Sequence, residues 1–192
     1  MRADRAAALN AALATARLTI EPMTGDHADG FFAPLQNAAI YAYISSTPPE
    51  SAAALRARWE RLATRLAPDG STAWLNWAVR RTVDGALVGR IDAEVDDHNV
   101  ALNVGYVFLP AHWGHGYASE AVRAVVTHLV ACGVVRLIAT VTVGNDASCR
   151  VLEKAGFTCT RILPGNDTIR GTLCDDIEYV REAPPDGSST GP

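Results

Sequence analysis

The sequence lacks a long apolar run, an excess of positive charge and any cysteine spacing typical of a metal or redox site. No hydrophobic stretch among the 192 residues approaches the roughly 20 residues that a membrane-spanning helix needs. The formal net charge is −4, which argues against a surface that binds nucleic acid. His112 and His115 have no third ligand nearby, so we expect no metal site. We therefore expect partners that include no nucleic acid and no membrane.

The cysteines indicate a reducing compartment. The four of them, Cys132, Cys149, Cys159 and Cys174, are scattered along the chain and form no framework of pairs. The first 16 residues carry charges at Asp4 and Arg5 and do not resemble a secretory signal. We therefore expect a cytoplasmic protein with reduced thiols.

The apolar content is sufficient for one substantial core, because 48% of the residues are hydrophobic. We expect one domain over residues 17–182. The alanine-rich extension, residues 1–16, is expected to be a loose helix or disordered. The tail, residues 183–192, is rich in Pro, Gly and Ser and is predicted to be disordered.

A strand, a glycine-containing loop and an amphipathic helix follow one another after Asn103. Pro110 ends the strand, and from Ala118 onward the apolar residues recur at helical spacing. The first amides of a helix have no internal partner, and Gly114 and Gly116 let oxygens approach the backbone. The pattern therefore predicts an anion site suited to a pyrophosphate, although a simple turn explains the loop equally well. No Gly-Lys-Ser or Gly-Lys-Thr follows, and the third glycine of a dinucleotide fingerprint is missing.

A second strand over residues 134–142 leads into a short helix that Asn145 or Asp146 can cap and Gly156 can end. This second half makes the pattern specific. The sequence resembles the GCN5-related N-acetyltransferase (GNAT) superfamily and is most similar to the branch of the Rim-type ribosomal-protein N-terminal acetyltransferases. The match is clearest over residues 75–160. It is carried by the motif Pro110-x-x-Trp113-Gly114-x-Gly116-Tyr117-Ala118, followed by Asn145-x-x-Ser148 and Leu152-Glu153-Lys154-x-Gly156-Phe157.

The resemblance implies an α/β (α+β) fold with a twisted, mixed, mostly antiparallel central sheet flanked by helices. Two central parallel strands, residues 101–109 and 134–142, would splay apart and hold the pantetheine arm of acetyl-CoA, with no metal. Trp113 occupies a position that many relatives give to Arg or Gln. The resemblance implies that the cosubstrate site comprises Val107, Phe108, Leu109, Trp113, Gly114, His115, Gly116, Tyr117, Ala118, Ser119, Asn145 and Ser148.

The chemistry implied by the resemblance is acetyl transfer from acetyl-CoA to a primary amine of a small molecule or a protein N-terminus, by direct attack. Ser148 matches the position proposed as general acid in the Rim-like branch, and we expect it to hydrogen-bond the departing thiolate. The sequence leaves open a non-catalytic acetyl-CoA sensor, and whether the chain is a monomer or a homodimer.

A charged strand face supplies candidates for the general base. Residues 87–95 alternate between apolar and largely charged side chains, as a strand with one polar face does. If residues 96–99 form a four-residue turn, Asp92 lies opposite Asn103 and Glu94 opposite Ala101.

Asp92, Glu94 and Asn103 would then share one face, one strand from the glycine loop. Asp92 and Glu94 are our first candidates for the base, directly or through water, and Asp175 and Asp176 come next. The alternative is a solvated sheet face.

The acceptor site is predicted from the resemblance, in which the first two helices and their connection wall it. That connection includes Tyr41 and Tyr43, which we expect to contact the acceptor together with Asn103. Ordinary packing is the alternative for both tyrosines.

Two element boundaries are predicted from capping and turn residues. Thr47-Pro48-Pro49-Glu50 predicts a helix start, with Leu55, Trp59, Leu62 and Leu66 on the buried face. Residues 164–167 predict the turn of a closing hairpin.

Overall fold

The structure, a computed structural model, describes residues 1–184; most of the predicted disordered tail, residues 185–192, lies outside the described residues. Within these residues, four short 3₁₀ helices accompany the regular elements: Gly25–His27, Pro34–Gln36, Ala38–Ala42 and Pro110–His112. The helices are α1 (Ala3–Leu9), α2 (Ala28–Phe32), α3 (Ala52–Leu62), α4 (Tyr117–Ala131) and α5 (Asp146–Lys154). The strands are β1 (Leu13–Ala14), β2 (Leu18–Pro22), β3 (Ala73–Arg81), β4 (Leu87–Val95), β5 (Val100–Phe108), β6 (Arg136–Thr142), β7 (Thr158–Ile169) and β8 (Thr172–Glu182).

The strands form one sheet that is split at its parallel pair. The order is β1-β2-β3-β4-β5-β6-β8-β7, with antiparallel pairing between all neighbours except β5 and β6. The parallel pairing covers Val100 with Arg136 and Ala101 with Leu137. Beyond these positions the facing edges of β5 and β6 carry no mutual pairing within residues 1–184. The predicted mixed fold with splayed parallel strands is confirmed.

Each face of the sheet carries its own layer of helices. The larger core lies against α1, α4 and α5. Every second residue of β4 from Ile91 to Val95 faces this core and is buried. A second core lies under α2 and α3, where Phe31 meets Trp59 edge to face with ring centroids 5.3 Å apart. At the chain start, Ala6 and Leu9 of α1 are buried in the larger core. The domain boundary at residue 17 stays a prediction.

The register between β4 and β5 corrects the prediction by two residues. Glu94 lies opposite Asn103 and Asp92 opposite Gly105. The connecting loop has three residues, because the Asp96 amide donates to the Val100 carbonyl at 3.0 Å. Leu102 is then an extra residue that bulges between Ala101 and Asn103. An offset of two preserves side-chain parity, so Asp92, Glu94 and Asn103 still share one face.

The boundaries predicted for α3 are wrong. Ser51, not Thr47, caps the helix, and its Oγ accepts a hydrogen bond from the Ala54 amide at 3.0 Å. The helix ends at Leu62, and Leu66 instead forms a β-bridge with Ala73.

The turn predicted at residues 164–167 is also wrong, since these residues lie inside β7 at a shift in its pairing with β8. The hairpin turns at Arg170–Gly171. Both residues have positive φ, 51° and 81°, as a two-residue type I′ turn requires.

Candidate active site

A cavity of about 800 Å³ opens where β5 and β6 separate. The edges of both strands, the loop before α4, the start of α5 and the segment 39–45 line it. Ten of the residues predicted for the cosubstrate line this cavity: Val107, Phe108, Trp113, Gly114, Gly116, Tyr117, Ala118, Ser119, Asn145 and Ser148. Leu109 instead is buried in the core under α2 and α3, and His115 is exposed with its ring stacked on Tyr117.

The loop before α4 has the geometry of an anion site. Gly114 and Gly116 have φ values of 79° and 78°, and a Cβ at Gly114 would meet no atom within 4 Å. The Glu120 amide donates to the Gly116 carbonyl at 3.1 Å and makes the first helical hydrogen bond. The amides of Tyr117, Ala118 and Ser119 precede that bond, so they are available to a ligand, and the helix dipole adds partial positive charge there.

Arg17, from the turn before β2, holds this loop from outside. Its Nη1 donates to the His115 carbonyl at 3.0 Å and its Nε to Glu120 Oε2 at 2.7 Å. The guanidinium carbon lies 4.8 Å from the centroid of the Tyr117 ring, close enough for a cation–π contact. Arg17 brings a cation to a loop in which Trp113 supplies none. No local pattern in the sequence predicts this role, because the contact with the His115 carbonyl spans 98 positions.

Trp113 connects the loop to the end of β5. Its indole Nε1 donates to the Phe108 carbonyl at 2.6 Å, while 49% of the residue stays exposed at the cavity mouth. This contact fixes where the loop leaves the strand.

Ser148 forms a hydroxyl pair with Tyr106. The Asn145 side chain caps α5 by accepting from the Ser148 amide at 3.2 Å, which places Ser148 in the first turn. The two side-chain oxygens are 2.7 Å apart, and both residues line the large cavity. Burial raises the pKa of Tyr106 to about 12, so this phenol keeps its proton at neutral pH. Tyr106 was not among the predicted site residues. The alternation of side chains along β5 places it on the sheet face opposite that of Gly105.

A second cavity, of about 430 Å³, lies on the α2–α3 face of the sheet. It brings together four predicted residues, Asp92, Glu94, Asn103 and Tyr41, whereas Tyr43 lines the large cavity with Ser148. The two cavities share Ile40, Ile44 and Val107 as lining residues. Asp92 and Glu94 therefore lie in a space that adjoins the one of Ser148, whereas Asp176, a further base candidate, lines the large cavity with Ser148.

The side chains of the smaller cavity are held by polar contacts. Asp92 forms an ion pair with Arg90, and Glu94 Oε1 accepts from Thr72 Oγ1 at 2.9 Å. The Tyr41 ring is buried, and its hydroxyl donates to the Leu35 carbonyl at 2.7 Å, so packing and this hydrogen bond together hold the side chain.

Asp92 also reaches the wall between the two cavities. A Cβ at Gly105 would lie 2.6 Å from Asp92 Oδ2, so only glycine leaves this carboxylate its place. Gly105 itself lines the large cavity. Asp92 therefore lies next to a residue that lines the large cavity.

Metal and membrane sites are the two other kinds of site to consider. Within residues 1–184, no group of three or more His, Cys, Asp or Glu side chains could hold a metal ion. No helix in the same part of the chain combines the length and the hydropathy needed to cross a membrane.

The split sheet and the glycine loop beside it define the chain as a protein of the GNAT fold class. The family model described as acetyltransferase (GNAT) domain matches residues 17–158. An uncharacterized N-acetyltransferase of Bacillus subtilis, YoaA, is 30% identical over 170 residues, which cover 87% of this chain and 94% of that protein. The chain belongs to the GNAT family and is an acetyltransferase, which confirms the predicted membership.

Solved structures share the fold. RimL, a ribosomal L7/L12 alpha-N-protein acetyltransferase in complex with coenzyme A, has a TM-score of 0.77 and 18% identity, over 88% of this chain and 95% of RimL. Spermidine N-acetyltransferase from Vibrio cholerae, in complex with CoA and spermine, has a TM-score of 0.74 and 18% identity, over 88% and 96% of the two chains. At these identities the likeness concerns the fold.

Proposed function

We propose that the protein transfers the acetyl group of acetyl-CoA to a primary amine of a small molecule or a protein N-terminus, by direct attack. One observation carries the proposal: the anion-binding loop and the split between β5 and β6 border the same cavity of about 800 Å³. The names of RimL and of the spermidine enzyme describe amine acetylation, and both were solved with CoA, which supports this reading.

The residues around the split fit acetyl-CoA. The amides from Gly114 to Ser119 would hold the pyrophosphate, since they precede the first bond of α4. The free edge of β5 at Val107 and Phe108, with Asn145 nearby, would hold the pantetheine arm through backbone hydrogen bonds. When bound, acetyl-CoA supplies an acetyl group activated as a thioester.

Ser148 and Tyr106 are the groups we assign to the departing thiolate. Both are hydroxyls in the large cavity, and when the Tyr106 hydroxyl donates to Ser148 Oγ, the Ser148 hydroxyl can donate its own proton to a ligand. Because Tyr106 keeps its proton, the pair can present an O–H toward a developing negative charge, as an oxyanion hole does.

Asp92 and Glu94 are the groups we assign to the proton of the amine. They line the smaller cavity, whose wall at Gly105 adjoins the large one. This polar cavity, which Asn103 and Tyr41 also line, is large enough for water, so the proton can leave through water to either carboxylate. Tyr43 lies in the large cavity, where we place the acceptor.

The test combines binding with turnover. Calorimetry should show that CoA binds and that ATP does not compete, and free-thiol release should rise with at least one amine or N-terminal peptide. Asp92→Asn and Glu94→Gln should separate the two base candidates, because only the one that takes the proton lowers kcat strongly. Binding of CoA without turnover on any acceptor would favour a sensor, and no CoA binding would refute the proposal.

A further inference from the structure

Two carboxylates border the large cavity beside the carboxyl end of β6. Asp176 of β8 pairs with Thr142, the last residue of β6, and Asp167 lies on the neighbouring β7. Asp176 is 4% exposed, and its Oδ2 accepts from Asn166 Nδ2 at 2.8 Å. Its Oδ1 is the one buried side-chain nitrogen or oxygen within residues 1–184 that has no hydrogen-bond partner.

This arrangement is costly for the protein alone. A buried carboxylate is normally paired with a cation or fully hydrogen-bonded, because its desolvation costs several kcal/mol. In the described part of the chain, no Lys, Arg or His lies within 4 Å of either Asp167 or Asp176 to form an ion pair. Asp167 adds a second negative charge to the same cavity, which Arg150 and Lys154 also line without forming an ion pair with either aspartate. A cationic ligand in the cavity would supply the missing partner.

The cation that fits is an ammonium group. A metal ion would need more ligand side chains than residues 1–184 bring together here. An ammonium group has three N–H donors, and aliphatic primary amines are protonated at neutral pH, as the lysine pKa of about 10.4 shows. Tyr43, on the wall of the same cavity, is 41% exposed and marks a side open to solvent.

We propose that Asp176, with Asp167 beside it, binds the ammonium group of the acceptor. The proposal rests on the proposed function and narrows its substrate class. Because two carboxylates repel a third, the acceptor is a cationic primary amine without a carboxylate next to the amine. Alkylamines and peptide N-termini satisfy this condition, whereas free α-amino acids do not.

Binding can be tested without turnover. The melting temperature of the CoA-saturated full chain is measured with propylammonium chloride and, at equal ionic strength, with tetramethylammonium chloride, which has no N–H donor. Propylammonium should raise the melting temperature of the wild type and of Asp175→Asn, and tetramethylammonium should not. Asp175 is the matched control, because it is the adjacent aspartate but is exposed. Asp176→Asn, which keeps the shape of the side chain, should abolish the shift.

Specificity is tested with a matched pair of acceptors, glycinamide and glycine, which differ in the charge beside the amine. Glycinamide should be acetylated in clear preference to glycine. Asp176→Asn should raise the KM for glycinamide about tenfold or more, the effect of losing one hydrogen bond to a charged group, with the Kd of CoA nearly unchanged. Equal use of both acceptors, or a propylammonium shift that survives in Asp176→Asn, would overturn the assignment. Failure of CoA binding would instead refute the proposed function, and would leave the propylammonium shift measurable on the free chain.

Discussion

Replacing Gly114 with alanine tests whether this residue contacts the ligand, because a control glycine can report the cost of backbone strain alone. The φ of Gly114 is 79° and a Cβ there would meet no atom within 4 Å, so the cost to the fold is only that of a left-handed alanine. That cost is about 1 kcal/mol, which lowers the melting temperature of a domain of this size by about 2–4 °C. Gly70 offers a matched control, since its φ is 71°, its surroundings are equally open and it lines neither cavity.

The two substitutions should differ in their effect on CoA. In the proposed site the methyl group of Gly114→Ala occupies the space through which a phosphate oxygen reaches the backbone. Loss of one charge-assisted hydrogen bond is worth about 1.5–3 kcal/mol, which weakens the Kd about 10- to 100-fold. Gly70→Ala should leave the Kd unchanged.

The assays are thermal unfolding and calorimetric titration with CoA on both variants. Equal losses of stability together with a loss of affinity confined to Gly114→Ala would support the loop as the phosphate site. A Kd for Gly114→Ala within about twofold of the wild type, a difference of less than about 0.5 kcal/mol, would refute the reasoning.

Three further predictions concern the side chains around the cavity. Ser148→Ala should lower kcat about a hundredfold, the size expected for loss of a donor to developing charge, with little change in the Kd of CoA by calorimetry. Because the pKa of Tyr106 is raised to about 12, the phenol keeps its proton as the pH rises past 10, the ordinary pKa of tyrosine. We therefore expect kcat, measured by thiol release, not to fall near pH 10. Arg17→Ala removes the contacts with the His115 carbonyl and Glu120, so CoA binding should weaken about fivefold in Kd. Arg17→Lys should not restore the affinity, because the lysine ammonium lacks the forked geometry of the guanidinium.

Each of these predictions has a contrary outcome. Ser148→Ala with wild-type kcat would remove the residue from the chemistry. A downturn of kcat near pH 10 that disappears in Tyr106→Phe would show that the phenol ionises early. Arg17→Ala with an unchanged Kd would mean that the loop keeps its shape without the guanidinium.

The elements that border the cavity were predictable because their signals are local. Proline, the two glycines and the apolar spacing that follows define the strand, loop and helix from β5 to α4. A cap at Asn145 and a glycine at 156 define α5 in the same way. The register of β4 against β5 was not predictable to this precision, since it depends on an asparagine at φ 60° and on the bulge at Leu102.

The contacts that complete the site were beyond sequence reasoning, because they join distant positions. Tyr106 meets Ser148 across 42 positions, and Arg17 meets Glu120 across 103. Neither contact leaves a periodic pattern. The buried, unpartnered oxygen of Asp176 is equally invisible in a sequence, in which this residue is one of two adjacent aspartates.

The most direct test of the central claim is mass spectrometry of the amine fraction after the full chain has been incubated with acetyl-CoA. The mixture should include propylamine, glycinamide, glycine and an N-terminal peptide. We predict the N-acetylated product of a cationic amine and free thiol in equal amount. The yield should be strongly reduced with Ser148→Ala. Intact acetyl-CoA and unmodified amines throughout the mixture would contradict the claim that this chain acetylates primary amines.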